Sequence, residues 1–306
     1  MSALRFGLMT YEAAPIGELV ARWRGFEADG WDALWAGDHL WSALDADGAP
    51  TRPRFDPWVL AACVATATER VEVGTLVSAI GMRNPTVLAK QAITLDHVSG
   101  GRFTTGLGAG GNPKDEAAAG IAPLAPDERA ARFDEYAAVV RAVLDGGSYD
   151  LVGEHHSAKG VSAPPPVAGR PPLLIAAHLR STIAVAARHA DVWHTYGSLF
   201  SQLARGQQLT ADESLAVTAR RARALDEECE RVGRDPGTVR RGFMLGFTQD
   251  KPWISVQAFR DAIGRYAEVG ITEFAFPFPL QGPHDLDVFH EVVADVLPAL
   301  RAGERP

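Results

Sequence analysis

Between Arg70 and Asn112 the chain reads RVEVGTLVSAIGMRNPTVLAKQAITLDHVSGGRFTTGLGAGGN, and this stretch limits the possible folds more than any other. Its β-branched opening predicts a strand ending near Ser78, and Asn84-Pro85 announces a helix over Thr86–His97. Ser99-Gly100-Gly101 then turns the chain into a second strand, Arg102–Leu107, which ends in a glycine-rich loop. Strand, helix and strand joined by short connections make a βαβ unit, whose strands run parallel through a right-handed crossover. Both exit loops therefore leave the C-terminal ends of their strands, the side on which parallel α/β folds bind ligands.

The alternation continues on either side. Before this unit come strand Leu4–Thr10, helix Ile16–Asp29 with Leu19, Val20, Trp23 and Phe26 at helical spacing and Gly30 as its stop, strand Trp31–Ala36, and helix Trp58–Thr68. After it come helix Asp127–Leu144 and strands Leu173–Ala177, Val192–Thr195, Val239–Phe247 and Glu273–Pro277. The helices between and after these strands are Ser181–His189, Ala211–Val232, Val256–Val269 and Asp287–Leu297, the last expected to end at Pro298. Eight strands and eight helices within 306 residues predict a closed (β/α)8 TIM barrel, a single domain over residues 1–306. The first strand lacks the GxGxxG opening of an open dinucleotide fold. Periodicity lapses only over residues 146–172, where a possible hairpin (SYDLVGEHH) precedes Pro164-Pro165-Pro166, and this insertion is expected to cover or flank the site.

Composition narrows the function classes. A net charge of -8 with no dense basic cluster disfavours nucleic acid. The two cysteines, Cys63 and Cys229, have no metal-ligand spacing and read as reduced core thiols; no metal is expected. The N-terminus has no signal-peptide pattern and no stretch is long and apolar enough to span a membrane, so a cytoplasmic enzyme without membrane contact is expected. His155 and His156, in the insertion, read as surface residues.

In such a barrel the candidate chemistry lies at the strand exits: Tyr11, Asp38, His39, Ser78, Gly108 to Asn112, His178 and His194. His39 is the strongest candidate, because imidazole exchanges protons near neutral pH; its alternative is a histidine packed at a strand end. Gly106 to Gly111 permits close backbone approach to a ring or phosphate, or simply forms a tight turn. Ala176 to Thr182 leaves strand five and enters a helix. Its N–H groups, hydroxyls and guanidinium suit an anion, the alternative being a Ser-capped helix with a solvent-facing arginine.

The segments WAGDHLW, VEVGTLVSAIGMRNPTVLAKQAITLDHVSGGRFTTGLGAGGN and PPLLIAAHLRSTIAVAARHADVW together resemble the bacterial luciferase-like monooxygenase superfamily and, within it, the branch using the deazaflavin coenzyme F420. The resemblance spans nearly the whole chain. It implies an isoalloxazine-type ring in the barrel mouth, one face against strand three, where Leu76, Val77 and Ser78 would form a bulge with a non-prolyl cis peptide at Leu76-Val77. It further implies Asp38 and His39 at the reactive ring edge, and Gly108, Ala109, Gly110, Gly111 and Asn112 beside the ring or ribityl chain. Ala176, Ala177, His178, Leu179, Arg180 and Ser181 would hold the phosphate, and Tyr11 and Trp41 would face substrate.

The chain also departs from its likeness. Sugar-phosphate dehydrogenases of the superfamily carry a glutamate where this chain has Gly111. True luciferases carry an arginine for the flavin phosphate near Ala109, and many relatives have more glycine where this chain has Ala176-Ala177-His178. The leading expectation is thus an F420-dependent oxidoreductase acting on a small organic substrate, with His39 exchanging a proton. The alternatives are a two-component FMN monooxygenase, supplied with reduced flavin by a separate reductase, and a non-catalytic flavin-binding barrel. A homodimer is expected in each case.

Overall fold

The computed structural model describes residues 3–10, 14–40, 54–146, 148–203, 205–280 and 282–306. The barrel strands are β1 (Arg5–Thr10), β2 (Ala33–Ala36), β3 (Glu72–Thr75, resumed at Ser78–Ala79), β4 (Phe103–Gly108), β5 (Leu173–Ala176), β6 (Val192–Tyr196), β7 (Arg240–Met244) and β8 (Glu273–Phe278). They lie in the order β3-β2-β1-β8-β7-β6-β5-β4, all parallel. Pairing of Val73 with Phe103 and of Ser78 with Leu107 joins β3 to β4 and closes the ring. This is the (β/α)8 TIM barrel that the alternation predicts.

Around it run α1 (Ile16–Ala28), α2 (Pro57–Ala67), α3 (Pro85–Ser99), α4 (Pro126–Leu144), α5 (Arg180–His189), α6 (Ala211–Arg231), α7 (Val256–Glu268) and a composite α8 (Leu286–Glu291, Val292–Val296 and Leu297–Arg301). Local chemistry sets many of their ends. Asp56 accepts from the N–H groups of Trp58 and Val59 ahead of Pro57, and Asn84 accepts from Thr86 N–H ahead of Pro85. Thr210 and Glu213 close a reciprocal capping box on α6.

Strand alternation sorts the core into two sets. Side chains such as Phe6, Leu8, Phe103, Trp193 and Phe274 face the helices, while Met9, Ala33, Trp35, Leu174, Val192, Met244 and Ala275 cluster inside the barrel. The interior is filled by two large side chains over glycines. A Cβ on Gly7 or Gly74 would lie 2.6 or 2.5 Å from the Trp35 indole, and one on Gly242 would lie 2.6 Å from Cδ2 of His194.

Two expectations are corrected. The helix expected to stop at Pro298 continues to Arg301. A π-turn over Val292–Val296, in which Leu297 N–H bonds to Val292 O, starts a new helical segment with Pro298 in its first turn, where no N–H is needed.

The insertion at residues 146–172 contains the expected hairpin, Ser148–Val152 with Ser157–Ser162, and it flanks the mouth: it packs on α4, and His156 lines a pocket that shares Ala109 and Glu116 with the mouth. Glu135 of α4 accepts from the N–H groups of Glu154, His155 and His156, each at 2.9 Å, and Asp96 and His97 of α3 hold Val167 and Pro165. His156, expected at the surface, is half-buried with its ring edge-on to Tyr136, because the Glu135 anchor draws the turn inward.

The segment after β4 forms a short helix at Pro113–Ala118.

Candidate active site

The strand exits converge on a cavity of about 370 Å³. Met9, Met244, Leu76, Ala176 and His194 form its floor, and Val77, Gly108 to Asn112, His39, His178 and Phe247 rise around it. Between the two parts of β3 the Leu76–Val77 peptide is cis. A Cβ on Gly108 would lie 2.6 Å from Cγ2 of Val77, so a glycine there lets the β4 exit lie directly against the β3 break. Gly110 and Gly111 take φ of 78° and 101°, which side-chain-bearing residues rarely adopt. The result is a narrow slot with one apolar side wall and one wall of exposed backbone.

His39 stands at the rim, following β2. Its Nδ1 lies 2.7 Å from Oδ2 of Asp115, whose Oδ1 accepts from Leu40 N–H at 2.9 Å. Asp115 is buried, His39 only partly so. The carboxylate thus fixes the imidazole's orientation and favours a proton on Nδ1, the arrangement that prepares a histidine for proton transfer through its other nitrogen. Asp115 belongs to the short Pro113–Ala118 helix, which Asn112 caps through Oδ1 to Lys114 N–H at 3.1 Å, while Glu116 Oε1 accepts from Gly111 N–H at 2.8 Å. Composition and strand reading did not find Asp115. Its signal was Asn112-Pro113, a helix-start pair that puts Asp115 and Glu116 in the first turn.

Asp38 also lines the cavity but is committed elsewhere. Arg83 bridges it to Asp56, and the guanidinium lies 5.8 Å from the centre of the Trp58 ring. Burial holds the Asp38 carboxyl above the ordinary aspartate range even with Arg83 against it. Ser78 is fully buried beneath the cavity and accepts from Trp58 Nε1 at 2.9 Å.

On the opposite side, His178 Nδ1 meets Thr195 Oγ1 at 2.9 Å and its ring lies edge-on to Tyr196 at 4.1 Å. Arg221 of α6 reaches in from behind and donates to the carbonyl oxygens of His178 and Tyr196 and to Thr195 Oγ1. Burial, with Arg221 and His194 close by, keeps the His178 imidazole well below the usual histidine range. Burial alone pulls His194 down to about 3, and its buried Nε2 has no hydrogen-bond partner among the described residues. Two neutral imidazoles therefore line the cavity.

Of the residues expected at a phosphate site, Ala176, His178, Leu179 and Ser181 line the cavity. Ala177 points away, its carbonyl accepting from Trp193 Nε1, and Arg180 extends to solvent, paired with Glu227 and Glu228. The N-cap of α5 is Leu179, not a serine, and Thr182 Oγ1 bridges the N–H and carbonyl of that residue. Tyr11 and Trp41 lie outside the described residues. Among the described residues no group of three or more His, Cys, Asp and Glu side chains could hold a metal, and no helix is long and apolar enough to cross a membrane.

Comparison with known proteins places this geometry in a lineage. The family described as luciferase-like monooxygenase matches residues 1–251, most of the chain. The chain belongs to the luciferase-like monooxygenase family. As a luciferase-like protein it joins a group of oxidoreductases and monooxygenases. Its barrel superposes on an F420-dependent secondary alcohol dehydrogenase in complex with an F420-acetone adduct (TM-score 0.75, 15% identity, 98% of this chain and 99% of that one). It is equally similar to coenzyme F420 dependent tetrahydromethanopterin reductase from Methanopyrus kandleri (TM-score 0.76, 15% identity, 98% and 100% covered). A riboflavin lyase with modified FMN and riboflavin aligns as well (TM-score 0.74, 16% identity, 98% and 92%). At these identities the luciferase-like barrel is shared with users of both cofactors.

Proposed function

We propose that this protein is a coenzyme F420-dependent oxidoreductase that moves a hydride to or from a small organic substrate, with His39 exchanging the accompanying proton. The observation that carries the reading is the His39–Asp115 pair at the rim of a slot walled by Val77 and the Gly108 to Asn112 loop. The residues present fit a planar ring. The Gly108 backbone lies where any Cβ would crowd Val77, and Met9, Leu76 and Met244 make the floor largely apolar. At the β5 exit the first turn of α5 offers N–H groups without intrahelical partners to a phosphate.

Coenzyme F420, when bound, supplies the two-electron hydride acceptor or donor. The chain's own residues orient, exclude water and handle the proton. His39 takes the hydroxyl proton when an alcohol is oxidised and returns it when a carbonyl is reduced, and Asp115 holds the imidazole in position. Ala109, where true luciferases carry an arginine for the flavin phosphate, supports the deazaflavin over FMN.

Titration of the apo protein with F420 and with FMN tests the cofactor, and tighter FMN binding would overturn it. His39→Ala is expected to keep cofactor affinity and to lose roughly 10²- to 10⁴-fold in turnover, the usual contribution of a positioned acid or base. Full turnover in that variant removes His39 from its role.

A further inference from the structure

At one corner of the cavity Arg129 sets a cation over Gly111. Arg129, in the first turns of α4, lays its guanidinium over Gly111, and a Cβ there would fall 2.7 Å from Nη1 and 3.2 Å from Cζ. The absent side chain at residue 111 is therefore what admits the guanidinium.

The cation is also unspent. Nη2 donates to Leu124 O at 3.2 Å, and among the described residues the buried Nε has no partner and no carboxylate pairs with the group. Arg129 is the only lysine or arginine among the described residues that line the cavity. The two nearest carboxylates on the same wall are engaged: Asp115 with His39 and Leu40, Glu116 with the Gly111 N–H. A half-buried guanidinium with free donors facing a cavity suits an oxyanion, which it can hold through two parallel hydrogen bonds.

We propose that Arg129 is a specificity-determining residue that docks an anionic group of the substrate, a carboxylate or a similar oxyanion, beside His39. This rests on the functional reading above in so far as the cavity is the substrate site. The oxyanion could instead be the cofactor's phosphate, but the short Pro113–Ala118 helix ties the Arg129 corner to His39. Asp115 of that helix holds the imidazole and Glu116 holds Gly111, whereas the helix start suited to a phosphate is that of α5.

The test is calorimetric titration of cofactor-free and cofactor-loaded protein with benzoate and with its neutral isostere benzamide. A charge-assisted hydrogen bond of ordinary strength gives the wild type a preference for benzoate of about 10-fold or more. Arg129→Gln is expected to erase that preference, Arg129→Glu to reverse it and Arg129→Lys to keep part of it, with each variant's thermal unfolding confirming a native fold. Equal or absent binding of the two probes by the wild type overturns the proposal, as does a preference that survives in Arg129→Gln. A parallel titration with FMN and riboflavin, which differ by the phosphate alone, reads the other source. If Arg129→Gln weakens FMN and leaves riboflavin unchanged, the guanidinium serves the cofactor and the proposal falls. If neither F420 nor FMN binds while the benzoate preference depends on Arg129, the cofactor reading falls and the anion site stands.

Discussion

Asp115 Oδ2 stands 2.7 Å from Nδ1 of His39, although the two residues are 76 positions apart in the chain. The contact exists because the barrel brings the β2 and β4 exits to one rim, and because the short helix after β4 turns its first-turn carboxylate toward that rim.

Asp115 is therefore a positioning residue for His39. Asp115→Asn offers the imidazole an amide in place of a carboxylate, and turnover is expected to fall about 100-fold, near the lower end of what acid–base catalysis contributes. Cofactor affinity should be unchanged, and Asp115→Glu should recover part of the rate. Measured kcat and cofactor Kd decide: a purely structural role would lower both together and leave Asp115→Glu no better.

Gly106 and Gly108 separate stability from binding. A Cβ on Gly106 would lie 1.8 Å from Thr75 O, a backbone atom that cannot yield without opening the barrel where β3 meets β4. Gly106→Ala is expected to cost on the order of 3 kcal/mol or to abolish folding, read from urea unfolding. Gly108→Ala meets the Val77 side chain instead, which can move. It should fold, but with the slot narrowed and flavin-type binding weakened more than its midpoint shifts.

His194 gives stability a defined pH dependence. Its folded value, lowered by burial to about 3, lies below the ordinary histidine value near 6.5. Between those limits the unfolded chain binds the extra proton, so stability is complete above about pH 6.5 and falls as the pH drops toward 3, by about 1.4 kcal/mol per pH unit for one such group. His178, also lowered, adds to the slope in the same direction. Denaturant unfolding from pH 7.5 to 4.5 should show this decline, and His194→Asn should flatten it; an unchanged slope in that variant would contradict the assignment.

Arg221 is buried and clamps the β5 and β6 exits through the carbonyl oxygens of His178, Tyr196 and Gly197. Arg221→Ala leaves these acceptors unmet and should destabilise the protein by roughly 3 kcal/mol. Arg221→Lys should restore little, since one ammonium cannot reproduce the planar fork that reaches all of them. Chemical denaturation of both variants checks this.

Much of the fold was legible along the chain because its signals are local. The Asp56-Pro57 and Asn84-Pro85 starts, the Gly100 stop and short apolar strands such as Arg5–Thr10 each need only neighbouring residues. The errors fell where a distant group intervened. Glu135 captures the His155–His156 turn from another element, so His156 is half-buried against Tyr136 and not at the surface. Pro298 failed as a stop because the π-turn before it removed the demand for its N–H.

The candidate site divides along the same line. By itself the sequence determined the eightfold strand–helix alternation, the glycines of the β4 exit and the place of His39 at a strand end, since these are properties of short segments. Only the tertiary structure decided that Asp115 holds His39, that Arg180 turns to Glu227 and Glu228 in solvent, and that Arg129 occupies the space left by Gly111. Those outcomes depend on which charged groups the closed ring of strands brings within a few ångströms of one another. Electrostatic partners between exits far apart in sequence are chosen by that closure, which no local pattern encodes.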